Sequence, residues 1–154
     1  MKSIQIAAGS VYGAALDVAA ALKRLLTEAG FDCTLHERSA LNVVRVPESL
    51  LLVVSSTTGS GDVPDSLQPL LAGLINEPPM LVGYPFAVVA LGDSSYGDTY
   101  CGGGRQLQAA LLDIAATEIA PMLTIDAMMT SEPVDEAQQW LQSNLAAFRR
   151  AAGE

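Results

Sequence analysis

A chain of 154 residues fits one domain around one core, and with half of them hydrophobic, 16% charged and no low-complexity tract it is not a disordered chain. Its net charge of −9 excludes the basic surface that nucleic acid or an anionic membrane would need. The same charge favours a basic protein partner whose contact weakens with salt.

The apolar run over 4–8 is short and interrupted by Gln5, so it reads as a buried strand closed by Gly9, not as a signal peptide. From Gly13 the period changes: Ala15, Val18, Ala19, Leu22, Leu26 and Ala29 recur at three- and four-residue steps, predicting a helix that Gly30 stops. A second strand is expected over 32–37. The segment 39–49 is a connection to which the pattern assigns no structure. The run over 50–55 is apolar enough for a strand covered on both faces. A polar loop follows over 56–64, then a short helix through Leu67, Leu70, Leu71 and Leu74 with Pro69 in its first turn. A proline- and glycine-rich loop over 76–84 leads to a fourth strand over 86–91 and a second special loop over 92–104. Leu107, Ala110, Leu111 and Ile114 mark the next helix, 119–125 the fifth strand, and Val134 to Phe148 the last helix. No stretch is long enough to span a bilayer, and cytoplasm is the expected location.

Five strands alternating with helices imply an α/β fold, a parallel sheet with helices on both faces. In such sheets ligands sit beyond the carboxyl ends of the strands, where strand order reverses. That rule selects the loops after the first, third and fourth strands. The first, Gly9-Ser10-Val11-Tyr12-Gly13-Ala14-Ala15, joins strand to helix; its small residues and the helix N-terminus suit a phosphate, and equally a turn that needs glycine for backbone reasons. It lacks both the GxxxxGK[ST] and the GxGxxG patterns. The second, Ser55-Ser56-Thr57-Thr58-Gly59-Ser60-Gly61-Asp62-Val63-Pro64-Asp65, offers hydroxyls beside two glycines, to rim a polar heterocycle or to lead into a helix capped by Asp65. The third runs Leu91-Gly92-Asp93-Ser94-Ser95-Tyr96-Gly97-Asp98-Thr99-Tyr100-Cys101-Gly102-Gly103-Gly104. Tyr96, on a small-residue loop with no core to fill, is assigned to a flat ligand; Tyr100 suits such a ligand or packing on the neighbouring helix. Cys33 and Cys101 form no metal-ligand spacing, and the single histidine, His36, has no ligand set, so no metal site is expected. Cys101 is expected to adjoin the ligand, Cys33 to pack in its strand, His36 to lie at the surface and Trp140 in the core.

Together the three loops resemble those of the flavodoxin family. Ser10-Val11-Tyr12-Gly13-Ala14-Ala15 is similar to the phosphate loop [TS]-x-T-G-x-T, with Tyr12 and Ala15 where threonines are usual. Gly92-Asp93-Ser94-Ser95-Tyr96, followed by Tyr100-Cys101-Gly102, resembles the loop around the isoalloxazine ring. Thr58-Gly59 stands at the place of an aromatic-glycine pair in many relatives, and the segment 56–65 more closely resembles a bacterial branch of the MioC and YqcA kind. The resemblance spans the whole chain. It implies a flavodoxin-like three-layer α/β/α sandwich, five parallel strands in order 2-1-3-4-5, and a single FMN-binding domain over 1–154. It also implies a short-chain member, with no segment interrupting the fifth strand. The expected cofactor contacts are Ser10, Val11, Tyr12, Gly13, Ala14 and Ala15; Thr57, Thr58, Gly59, Ser60, Gly61 and Asp62; and Leu91, Gly92, Asp93, Ser95, Tyr96, Tyr100 and Cys101. Tyr96 would stack on the outer face of the ring, and the Gly59 peptide would turn its carbonyl toward flavin N5, favouring one-electron steps.

The implied function is a monomeric, non-enzymatic FMN-dependent one-electron carrier. It would take electrons from a flavodoxin/ferredoxin-NADP reductase-type donor and pass them to redox acceptor enzymes through the acidic surface, with Asp62, Asp65, Asp93 and Asp98 in or beside the loops. The alternatives are an NAD(P)H-dependent FMN or quinone reductase on the same fold, or a flavodoxin-like binding module that has lost FMN. A receiver domain of the same strand order would need acids where Ala7, Ala8 and a Ser/Thr run stand.

Overall fold

The computed structural model describes residues 2–153. Its elements run β1 (Ser3–Gly9), α1 (Ala14–Glu28), β2 (Cys33–His36), β3 (Ser49–Ser55), α2 (Gln68–Asn76), β4 (Pro85–Gly92), α3 (Gly102–Asp113), β5 (Thr117–Glu118), β6 (Leu123–Asp126) and α4 (Pro133–Ala151). Among the described residues the strands pair in parallel, in the order β2-β1-β3-β4, with β5 and β6 both on the free edge of β4. The sheet order 2-1-3-4-5 is therefore as expected, with its fifth position divided between two short strands.

Strand alternation makes two cores. From β3, Leu50, Leu52 and Val54 join α1 and α4 through Val18, Leu22, Leu141 and Phe148. Leu51 and Val53 face the other way, onto α2 and α3 through Leu70, Leu74, Leu107 and Leu111, with Leu67 just before α2 beside them. With both faces covered, every residue of β3 is buried, which is why its sequence is continuously apolar rather than alternating. Each fully buried leucine or phenylalanine contributes about 1.5–3 kcal/mol. The segment left unassigned holds a 3₁₀ turn, Leu41–Val44, whose Leu41, Val43 and Val44 seal the second core. Gly73 of α2 lies under it, where a Cβ would come 2.6 Å from Leu41 Cγ.

Three expectations change. Asp65 does not cap α2; it begins a 3₁₀ turn, Asp65–Leu67, that runs into the helix. The third loop ends early, because α3 already begins at Gly102. The fifth strand is interrupted: β4 residues Phe86 and Val89 pair with Glu118 and Leu123, so two extra residues bulge from the edge. Pro121 in that bulge has no N–H to donate, and its carbonyl instead accepts the Trp140 indole N–H at 2.9 Å. Trp140 is half-buried, edge-on to Phe148 at 6.0 Å between centroids. His36 is half-buried as well, its Nε2–H donating to Gln5 Oε1 at 2.7 Å.

Candidate functional site

Strands β1 and β3 leave the sheet side by side, with Gly9 opposite Ser55, while their following helices go to opposite faces. That divergence opens a cleft of about 390 Å³, within the range of small-molecule sites. Ser10, Val11, Tyr12 and Ala14 line it from the first loop, Ser56, Thr57, Thr58 and Gly59 from the second, and Leu91, Gly92, Asp93, Tyr96 and Thr99 from the third.

At one end the chain turns into α1 through Gly13, whose φ of +93° glycine adopts without a Cβ clash. The Gly13 and Ala15 N–H groups donate to Ser10 Oγ at 2.8 and 3.3 Å. Ser56 Oγ–H reaches the same oxygen at 3.4 Å. Among the described residues no hydrogen bond takes the N–H of Val11, Tyr12 or Ala14, and all three residues border the cleft. Unpaired amides at the positive end of a helix suit an anion, and no lysine or arginine lines the cleft to do that work instead.

The middle of the cleft is built on Thr57. Its hydroxyl donates to the Leu91 carbonyl at 3.0 Å and accepts the Gly103 N–H at 3.1 Å, so one side chain ties the second loop to β4 and to α3. Beyond it, Thr58 and Asp62 exchange backbone bonds of 2.9 and 2.8 Å across a tight turn. Gly59 sits at the tip with φ +49°, and among the described residues no hydrogen bond holds its carbonyl.

At the other end Asp93 fastens the third loop, accepting the Ser95 N–H at 2.8 Å and the Ser95 Oγ–H at 2.5 Å. Tyr96 projects from the turn Ser94–Thr99 with 64% of its surface exposed. An aromatic ring left this bare beside a cleft with an apolar floor of Leu91, Ile125 and Ala127 offers a flat ligand a face. One cleft thus carries both anion donors and an exposed aromatic face, the chemistry that a ligand with a phosphate and a flat ring, such as FMN, would need.

Of the other residues expected in the site, Gly13, Ala15, Ser60, Gly61, Asp62, Ser95, Tyr100 and Cys101 do not line the cleft itself. Ala15 is buried beneath the first loop, and Ser95 supports the third. Tyr100 is half-buried, and burial, first of all, raises its pKa. Cys101 is buried at φ +55°, its thiol directed at the Ala90 carbonyl at 3.5 Å; burial, first of all, pushes its pKa up, which favours the protonated thiol. Sequence reasoning also missed a fourth wall. Ile125, Ala127, Thr130 and Pro133, from the end of β6 and the loop into α4, close the cleft. The strand-end rule would have found them had it been applied to the fifth position of the sheet.

A flavodoxin family model matches residues 6–140 of the chain. Flavodoxin YqcA of Escherichia coli is 38% identical over 143 residues, covering 92% of this chain and 95% of its own. Protein MioC of Escherichia coli is 36% identical over 144 residues, covering 93% and 96%. Among solved structures, a cysteine-to-serine mutant of flavodoxin from Pseudomonas aeruginosa superposes with a TM-score of 0.86 at 40% identity, over 97% of this chain and 99% of that one.

Proposed function

Because this chain belongs to the flavodoxin family, we propose that it is an FMN-dependent one-electron carrier, receiving electrons from a reductase of the flavodoxin/ferredoxin-NADP type and delivering them to acceptor enzymes. The support is one arrangement: the free amides of the first loop and the bare ring of Tyr96 border a single cleft. FMN, when bound, supplies the redox chemistry, and the protein supplies its binding and electronic environment. Ser10 holds the first loop in shape, so that the Val11, Tyr12 and Ala14 amides would be left to hold the phosphate. Thr57 would fix the second loop against β4 and α3, keeping that wall of the cofactor cleft in place. Asp62, Asp65 and Asp98 are exposed near the cleft, where they disfavour added negative charge inside it and present an acidic face to a basic partner.

One absorbance scan of the purified protein before and after dithionite, with the released flavin identified, tests this reading. A flavin spectrum that bleaches supports it, whereas apoprotein that takes up no added FMN ends it. Steady-state NAD(P)H oxidation by the protein alone would replace the carrier by a reductase.

Two residues should tune the bound cofactor. Tyr96→Ala removes the aromatic face, a stacking contribution of about 1 kcal/mol beyond buried area, so FMN affinity should fall at least about fivefold. The lower of the two midpoint potentials should rise, because an electron-rich ring disfavours the anionic fully reduced flavin. Potentials and affinity equal to wild type would remove Tyr96 from the site. Gly59→Val imposes a left-handed backbone on a β-branched residue and hinders rotation of the peptide whose carbonyl is free to turn. The two one-electron midpoint potentials should draw together in a redox titration; an unchanged gap would show that this peptide does not set them.

A further inference from the structure

Asp126 ends β6 and was not among the residues singled out from the sequence. Its Oδ1 accepts two backbone N–H groups, from Ser94 at 3.0 Å and from Met128 at 2.9 Å. The first belongs to the turn Ser94–Thr99 that carries Tyr96; the second belongs to the loop between β6 and α4 that carries Ala127 and Thr130. One carboxylate oxygen thus joins two walls of the cleft that lie 32 residues apart in the chain. The Ala127 N–H donates to the Gly92 carbonyl at 2.9 Å beside it, so backbone pairing carries the sheet edge up to the junction and the Asp126 side chain takes over where the ladder stops. The carboxyl is held below its usual pKa, first by the Ser94 hydroxyl and then by the Ser94 amide, so it is ionised at neutral pH. Tyr100 and Cys101, both raised by burial, are neutral there, leaving the charge to the Ser94 hydroxyl and the two amides.

We propose that Asp126 is a positioning residue of the cofactor cleft, clasping the Tyr96 turn to the loop between β6 and α4 so that the two walls keep a fixed spacing. The proposal rests on the reading of the cleft as an FMN site. Its role is to accept hydrogen bonds rather than to supply charge, because Oδ1 makes both contacts and an amide oxygen could make the same two. Substitution should therefore separate acceptor from charge.

The experiment titrates apoprotein with FMN by flavin fluorescence for wild type, Asp126→Ala, Asp126→Asn and Ser94→Pro, with amide exchange at Ser94 and Met128 followed by NMR. Loss of the acceptor leaves two backbone donors unsatisfied and should weaken FMN about tenfold in Asp126→Ala, while Asp126→Asn stays within about twofold of wild type. Ser94→Pro deletes the donor at the first position of its turn, where proline is tolerated after an extended Asp93, and should weaken FMN as Asp126→Ala does. It also covers the case in which Asp126→Ala does not fold. The Ser94 amide should exchange faster in Asp126→Ala and keep its protection in Asp126→Asn, with or without flavin. Wild-type affinity in Asp126→Ala or Ser94→Pro, or equal losses in the Ala and Asn variants, would overturn the clasp. A wild type that binds no FMN defeats the functional reading instead, and the Ser94 exchange rates then decide the clasp alone: unchanged exchange in Asp126→Ala overturns it.

Discussion

Ala14→Asp is expected to abolish retention of FMN while leaving the apoprotein as stable as wild type or slightly more so. Ala14 is exposed, lines the cleft and is the first residue of α1. A carboxylate there lies within contact distance of any phosphate held by the neighbouring amides. Two unit charges about 4 Å apart at an effective dielectric of about 20 repel by about 4 kcal/mol, and a phosphate monoester carries more than one charge. Even half of that weakens FMN by about 30-fold, and all of it by about 1,000-fold. The same carboxylate sits favourably at a helix N-terminus, contributing about 0.3–1 kcal/mol to the protein without ligand. Affinity and stability should therefore move in opposite directions, which general damage to the fold cannot produce. Riboflavin, which lacks the phosphate, should lose far less affinity than FMN. The assignment is measured by flavin titration and thermal melting of the variant, and unchanged FMN retention would count against it.

Gly103→Ala should cost stability despite replacing glycine by a better helix former. The start of α3 is pressed against the second loop: a Cβ on Gly103 would come 2.4 Å from the Ser56 carbonyl oxygen and 3.2 Å from that of Asp62. Neither is the end of a flexible side chain. The Ser56 carbonyl already accepts the Ser55 hydroxyl at 2.8 Å, and the Ser56 N–H is bonded to Gly9 at 3.0 Å, so the oxygen has little room to retreat. Overpacking of this kind costs about 1–3 kcal/mol and more against backbone, whereas the helix-propensity gain is at most about 1 kcal/mol. A net loss of about 2 kcal/mol should lower the melting temperature by roughly 4–8 °C in a domain of this size. Because Gly103 also donates to Thr57, the displaced helix should loosen the second loop and weaken FMN as well. A melting temperature at or above that of wild type would show that the loop yields where the contacts say it cannot.

Much of the sheet was legible because its strands are buried on both faces and so write themselves as apolar runs: β1, β3 and β4 emerge within a residue or two of where the pattern puts them. Helix α1 was legible from its period, and the strand-end rule led to the first three walls of the cleft. What escaped did so for physical reasons. Leu41–Val44 is too short for any period to register, and its burial depends on a contact with Gly73 far along the chain. Gly102, Gly103 and Gly104 look like loop residues by propensity, yet they open a helix, and they are glycine there because any side chain would strike Gly61, Ser56 or Ala90. The bulge at Pro121 was masked by the apolar residues on either side of it. The fourth wall carries no signature of its own, and Asp126 becomes visible only when the Ser94 and Met128 amides are seen to meet on it.

The matched exit of Gly9 and Ser55 has a practical corollary for anyone wishing to redesign this protein. Adding or deleting one residue within either strand would invert its inward and outward sides and swing the attached loop away from its neighbour. Changes confined to the loops carry no such penalty. Attempts to give the scaffold a different prosthetic group should therefore vary the loops around Ser10, Gly13 and Thr57 and leave the strand lengths untouched.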